Sequence, residues 1–182
     1  MSTHLPPFKT FDLPPALVRD LRSDHAGETG AVAIYQGILA VSRDKQVRRF
    51  AVNHMKTEKK HLSFFAGWLP PRYWSRLLPV WTAAGWSLGA IAALFGPGAV
   101  FRTIAAVESF VEAHYVEQIK KMRKVEQWRP LADTLQSFCD DEVEHLEDAA
   151  RRQPSSSGVI AKAWRQVVGA GSALGVVVAR KV

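Results

Sequence analysis

At 182 residues and 47% hydrophobic, the chain has the size of one domain and enough apolar side chain to bury a core, which excludes disorder as its resting state. Its single cysteine, Cys139, excludes a disulfide framework and a cysteine-rich zinc site. The formal net charge of +7 asks for an anionic partner; the basic residues are scattered and build no recognition-helix stripe, and the apolar segments of the chain favour a membrane surface over nucleic acid.

The opening stretch, "MSTHLPPFKTFDLPPALV", has no apolar core of signal-peptide length and carries Asp12 and two proline pairs, so an intracellular chain is expected. Pro14 and Pro15 lead into a first helical pattern whose inward stripe is Leu17, Leu21, Asp24, Glu28, Val32, Tyr35 and Leu39. "SRDK" (42–45) breaks it. A second helix follows, with Val47, Phe50, Ala51, Met55, Glu58, His61, Leu62 and Phe65 on one face, and "LPPRYW" stops it.

Residues 77–101, "LLPVWTAAGWSLGAIAALFGPGAVF", contain no charge, a length that would suit a membrane span. Pro79, Gly85, Gly89, Gly96, Pro97 and Gly98 interrupt the run, and tryptophans with flanking arginines (Trp81, Trp86, Arg72, Arg76) suit a bilayer interface instead. The expectation is a hairpin inserted into a membrane surface; the alternative is an apolar crossover buried in the fold or in a homo-oligomer interface. A third helix places Phe101, Ile104, Ala105, Glu108, Val111, Glu112, Tyr115, Ile119 and Met122 on one broad face. After Pro130, a fourth aligns Leu131, Leu135, Phe138, Glu142, His145 and Ala149. "PSSSG" (154–158) reads as a flexible joint, and residues 159–182 as an apolar fifth helix with a basic end.

Two Glu-x-x-His pairs, Glu58/His61 and Glu142/His145, occupy matched places in the two halves. In an antiparallel hairpin, residues equally far from the turn lie at equal height. Glu28 and Glu58 have their midpoint at residue 43, in "SRDK", and Glu108 and Glu142 have theirs at 125, beside the break before Pro130. Each hairpin thus sets one glutamate level with one Glu-x-x-His pair. Four carboxylates on core faces cost several kcal/mol each as bare anions, whereas two divalent cations would neutralise them and two imidazoles would complete the ligand set. Glu and His at i and i+3 can serve one metal, and the glutamates on the other two helices are placed to bridge. This is the plan of di-iron or di-manganese carboxylate bundles.

Around that set, Asp141 could accept the free ring N–H of a ligating histidine, best His61, and Asp24 lies one turn before Glu28; either could equally be an ordinary surface carboxylate. Tyr115 and His114 could deliver electrons or protons, or pack the core. Glu112 is an alternative to Glu108, which the hairpin midpoint favours. His25 and Cys139 read as packing.

"SDHAGETGAVAIYQG", "HMKTEKKHL", "AVESFVEAHYVEQI" and "DDEVEHLEDA" resemble the motifs of the demethoxyubiquinone hydroxylases, non-haem di-iron monooxygenases of ubiquinone biosynthesis, from about residue 18 to the C-terminus. Matched residue by residue, the resemblance puts that family's iron ligands on Glu28, Glu58, His61, Glu108, Glu142 and His145. Ala33 and Gln36 depart from it, standing where the family usually has basic residues.

The resemblance implies an all-α fold in a single domain (1–182). This is a ferritin-like four-helix bundle with a long apolar crossover between the second and third helices (about 68–101) and an extra C-terminal helix (about 159–182). It implies two Fe2+ ions and O2 as co-substrate, with one oxygen atom entering the ring of a polyprenylated demethoxyubiquinol and the other leaving as water. It also implies a peripheral place on a membrane and, as in the family's mitochondrial members, a lipid-binding partner protein of the same pathway; with no presequence legible in its opening stretch, the chain is expected on the cytoplasmic face of a bacterial inner membrane. A ferritin-like iron-binding or ferroxidase protein without quinone chemistry is the alternative.

Overall fold

A computed structural model of the chain describes residues 5–153 and 158–182, and every regular element among them is helical. Six α-helices follow in order: α1 (Pro15–Val41), α2 (Lys45–Trp68), α3 (Leu78–Leu94), α4 (Pro97–Met122), α5 (Arg129–Arg151) and α6 (Val159–Ala179). The joint expected around "PSSSG" falls on 154–157, outside the described residues.

Local chemistry explains the boundaries. Pro15 and Pro97 sit at the starts of α1 and α4, where a missing N–H costs nothing. Asp44 caps α2, its Oδ1 accepting the Val47 N–H at 2.8 Å. Arg48 locks the same turn by donating from Nη1 to the carbonyls of Leu39 (2.6 Å) and Ser42 (3.0 Å). Between α3 and α4, Gly96 adopts φ +88°, a left-handed conformation that glycine takes without strain. The third predicted helix therefore begins earlier than its stripe suggested, at Pro97, and ends at Met122, since residues 126–128 form a separate 3-10 turn.

α1 with α2, and α4 with α5, form two antiparallel hairpins that close into a four-helix bundle. Its core has two apolar clusters. One gathers Ile34, Tyr35, Ile38, Phe50, Phe101 and Ile104, and the other gathers Leu17, Leu21, Phe65, Tyr115, Met122 and Leu135. Phe11, in a 3-10 turn before α1, plugs the end of the second, and Trp128 Nε1 holds it by donating to its carbonyl at 2.9 Å.

The crossover is a helix laid on α1. Ideal Cβ atoms at Gly37, Gly85 and Gly89 would run into the carbonyls of Trp86, Gly30 and Ile34, so the two helix backbones touch only because these residues are glycine. One edge of α3 is thus buried, through Gly85, Gly89, Ala90 and Ala92, while Trp86, Ile91, Leu94 and Phe95 remain exposed. No helix among the described residues is long and apolar enough to cross a membrane. α6 packs on α4 and α1, tied by Trp164 Nε1 to Thr103 Oγ1 (2.8 Å) and by Arg180 to Asp20 (2.8 Å).

Candidate metal centre

Between the two apolar clusters the bundle carries a polar layer. α1 contributes Glu28, α2 Glu58 and His61, α4 Glu108, and α5 Glu142 and His145. Each of the six is at most 4% exposed. They converge as two overlapping groups, Glu28/Glu58/His61/Glu142 and Glu58/Glu108/Glu142/His145, each with its ligand atoms within 4.8 Å of one another. All six residues expected from spacing meet in one place. Glu112 is only half-buried and belongs to neither group.

The two groups overlap at other glutamates than those that spacing placed between them. Glu58 and Glu142 belong to both groups, while Glu28 and Glu108 each belong to one. α2 and α5 are neighbours in the bundle, so their glutamates reach into one shared gap from opposite sides. Glu28 and Glu108 approach that gap from α1 and α4. Equal height along a hairpin says nothing about lateral reach.

Both histidines turn Nδ1 into the layer. That of His61 lies 3.2 Å from Glu142 Oε1 and 3.7 Å from Glu28 Oε2. That of His145 lies 2.9 Å from Glu58 Oε1 and 3.3 Å from Glu142 Oε2. Yet Glu28 Oε2, Glu58 Oε1, Glu142 Oε2 and both Nδ1 atoms make no aligned hydrogen bond. Buried oxygen and nitrogen atoms that face one another without an aligned hydrogen bond fit a pair of divalent cations and are costly otherwise. Mixed carboxylate and imidazole donors suit iron or manganese.

The electrostatics agree. Burial, with the repulsion of neighbouring carboxylates, pushes Glu58 and Glu108 well above the ordinary carboxylate range. Burial pushes Glu28 up to about 7, even though the positive charge of His61 opposes it. Burial also acts on Glu142, but the imidazoles of His145 and His61 at 3.3 and 3.2 Å outweigh it and hold that carboxyl at about 2. Burial lowers His61, yet the Glu142 and Glu28 carboxylates beside it carry it to about 8. Without metal, the layer is an anion on Glu142 between two imidazoles, with its other carboxyls tending to hold protons.

Around the six, Asp141 Oδ2 stands 3.0 Å from His61 Nε2, the contact expected from sequence. With Nδ1 facing the layer, the ring proton sits on Nε2 and is donated to Asp141. Asp24 does not reach a cluster histidine; its Oδ1 accepts from Gln118 Nε2 at 2.7 Å and lies 3.2 Å from His114 Nε2. Tyr115 Oη donates to Glu28 Oε1 at 2.7 Å. His114 touches no cluster carboxylate but lines the cavity described below. His25 is buried beside Trp74, and burial raises the Cys139 thiol to about 11, so it stays protonated and unreactive.

Two contributors escaped the sequence reading. Tyr35 Oη donates to Glu108 Oε1 at 3.2 Å, and His54 lies edge-on to His145 with ring centroids 4.2 Å apart. A signal for Tyr35 existed, because Glu28/Tyr35 and Glu108/Tyr115 share one spacing, Glu-x6-Tyr. The pairs cross in the fold, each tyrosine bonding the glutamate of the other half.

A cavity of about 410 Å³ reaches all four glutamates from the side covered by α3 and α6. Its walls are mainly apolar, with Ile34, Leu88, Val107, Phe110, Val168 and Val176 among them, and Ser23, Asp24 and His114 give it one polar corner.

Fold and site together define a helical bundle built round a buried, two-position carboxylate–histidine centre with an apolar access cavity. The family model described as "Ubiquinone biosynthesis protein COQ7" matches residues 15–179. The chain belongs to that family.

It is 36% identical over 150 residues to the 3-demethoxyubiquinol 3-hydroxylase of Rhodospirillum rubrum, covering 78% of this chain and 70% of that protein. It is 34% identical over 134 residues to the mitochondrial NADPH-dependent 3-demethoxyubiquinone 3-hydroxylase of Dictyostelium discoideum, covering 70% and 60%. Its identity to the human protein of the same description is 35% over 135 residues, covering 71% and 62%. The matched stretch therefore spans less than two thirds of these two mitochondrial relatives.

Proposed function

We propose that the chain is a non-haem di-iron monooxygenase that hydroxylates the ring of a polyprenylated demethoxyubiquinol, acting as a single domain (1–182). The observation that carries this is the joining of the buried glutamate–histidine layer to a largely apolar cavity. One iron would be held by Glu28 and His61, the other by Glu108 and His145, with Glu58 and Glu142 spanning both. Bound there in the reduced state, the two irons would supply the activation of O2 and the two electrons that balance it, one oxygen atom going to the ring and the other, with two protons, to water.

The chain's own side chains do the rest. Asp141 fixes the His61 tautomer, and Tyr115 and Tyr35 hold the outer carboxylates in place. The apolar walls exclude water and take the ring and the first part of the tail. His114, paired with Asp24 at the polar corner, is placed to move a proton to or from a ring hydroxyl. Iron storage or ferroxidase chemistry would need a hydrophilic entry for ions, and the apolar walls favour the quinol instead.

Exposed Trp86 and Leu94 on α3, Phe95 just after it, and Val167, Leu174 and Val177 on α6 support a peripheral membrane position. That position would be the cytoplasmic face of a bacterial inner membrane, where a lipid-binding partner protein could present the substrate.

The test is complementation of a bacterial strain lacking its own demethoxyubiquinone hydroxylase. The wild-type chain is expected to convert the accumulated precursor to ubiquinone, and Glu142→Ala to leave at least about 90% of it unconverted, a loss of more than tenfold in rate or about 1.4 kcal/mol of barrier. Rescue by Glu142→Ala, or failure of a soluble, helical wild-type chain, overturns the reading.

A further inference from the structure

We infer that the two metal positions are unequal, and that the position of Glu28 and His61 binds a divalent cation more tightly than that of Glu108 and His145. This rests on the cluster being a metal centre, as proposed above. The two halves of the chain repeat the ligands but not the residues that back them. His61 has its outer nitrogen held by Asp141 at 3.0 Å. The corresponding place in the other half, immediately before Glu58, is Thr57, which carries no charge.

Among the described residues no carboxylate approaches the outer nitrogen of His145, whose ion contacts all run through Nδ1. The neighbour it has instead, His54, commits its own Nε2 to Asp148 at 3.0 Å. A carboxylate behind a ligating imidazole fixes its tautomer and raises its basicity, and losing such a partner costs about 10–100-fold in metal affinity.

The outer glutamates repeat the inequality. Tyr115 holds Glu28 at 2.7 Å, the usual length for a hydroxyl on a carboxylate. Tyr35 stands 3.2 Å from Glu108, beyond the usual range for such a bond. Both differences favour the same position, and neither depends on the other. With metal scarce, the Glu28/His61 position fills first and the Glu108 carboxylate is left the freer of the two.

Titration of the purified metal-free chain with cobalt(II), followed by visible absorption and calorimetry, tests this without any turnover. Two binding steps separated by about 10–100-fold are expected. Asp141→Asn should weaken the tighter step by about tenfold or more and leave the other, closing the gap. Thr57→Asp should strengthen the weaker step by giving His145 the backing that His61 has. Circular dichroism of each variant separates lost affinity from lost fold. Should Asp141→Asn not fold, Thr57→Asp decides alone. Two equal steps in the wild type, or native-like variants that leave both constants unchanged, overturn the inference. If the wild-type chain binds no cobalt at all, the metal-centre reading itself falls.

Discussion

Glu28, Glu58, Glu108 and His61 give the metal-free protein a pH dependence whose sign can be worked out. Burial and neighbouring carboxylates raise the three carboxyls, so the folded chain keeps protons that the unfolded chain loses above the ordinary value of 4.5. Their contribution is present at low pH and is lost as pH rises, through about 7 for Glu28. His61, raised to about 8, is lost in the same direction, from its ordinary 6.5 upward. The Glu28 shift alone corresponds to about 3 kcal/mol.

Metal ligation needs these groups deprotonated, so binding should release roughly three or more protons per chain at neutral pH. Thermal melts with and without chelator should show the metal-free protein losing stability between pH 5 and about pH 8, with metal restoring most of it at the alkaline end. A metal-free melting temperature that does not move over that window contradicts the assignment.

At this scale the spacing of charged residues on apolar stripes made the six cluster residues legible. Tyr35 was not, because a tyrosine on an inward stripe reads as packing until its partner, 73 residues away, is in place. The sharing of Glu58 and Glu142 was hidden for a similar reason, since lateral reach depends on which helices become neighbours.

Among the elements, α5 and α2 show clean single stripes because only one side of each is covered. α1 does not, since α3 buries its second side and adds Ala33, Ile34 and Gly37 to the buried set. The glycines of the crossover read in sequence as interruptions of an apolar run; in the fold they are the surface on which α3 meets α1. Gly89→Ala should drive a methyl group into the Ile34 carbonyl and force the helices apart, at a cost of about 1–3 kcal/mol or more. Urea unfolding should show that loss, and an unchanged midpoint would mean that α3 does not pack on α1 as described. α3 also walls the cavity through Ala84, Gly85 and Leu88, so the same change should distort that wall.

Taken as a whole, the molecule keeps its polar layer at the centre and turns part of its apolar sequence outward. Leu94 and Phe95 are 72% and 78% exposed at the end of α3, and Leu174 on α6 is 64% exposed. Burying two such side chains is worth about 3 kcal/mol or more, so Leu94→Ser with Phe95→Ser should weaken binding to anionic vesicles by about a hundredfold. Flotation of wild type and double variant with phosphatidylglycerol vesicles measures this, and equal recovery of both would remove that edge from the membrane surface. The two-halves plan was visible in sequence because matched ligand sets lie on matched hairpins. The layering of α3 and α6 over α1 and α4 was not, because apolar runs do not declare which side meets protein and which stays exposed.

Loaded with two irons, the buried layer is proposed to put one atom of O2 into a quinol ring. Its most direct test is a single turnover of the reduced, iron-loaded chain with a short-tailed demethoxyubiquinol under 18O2, with the product weighed by mass spectrometry. One 18O is expected in the new ring hydroxyl, with no hydroxylated product from Glu142→Ala carried through the same loading. A hydroxylated product without the label, or an equal yield from Glu142→Ala, would contradict it.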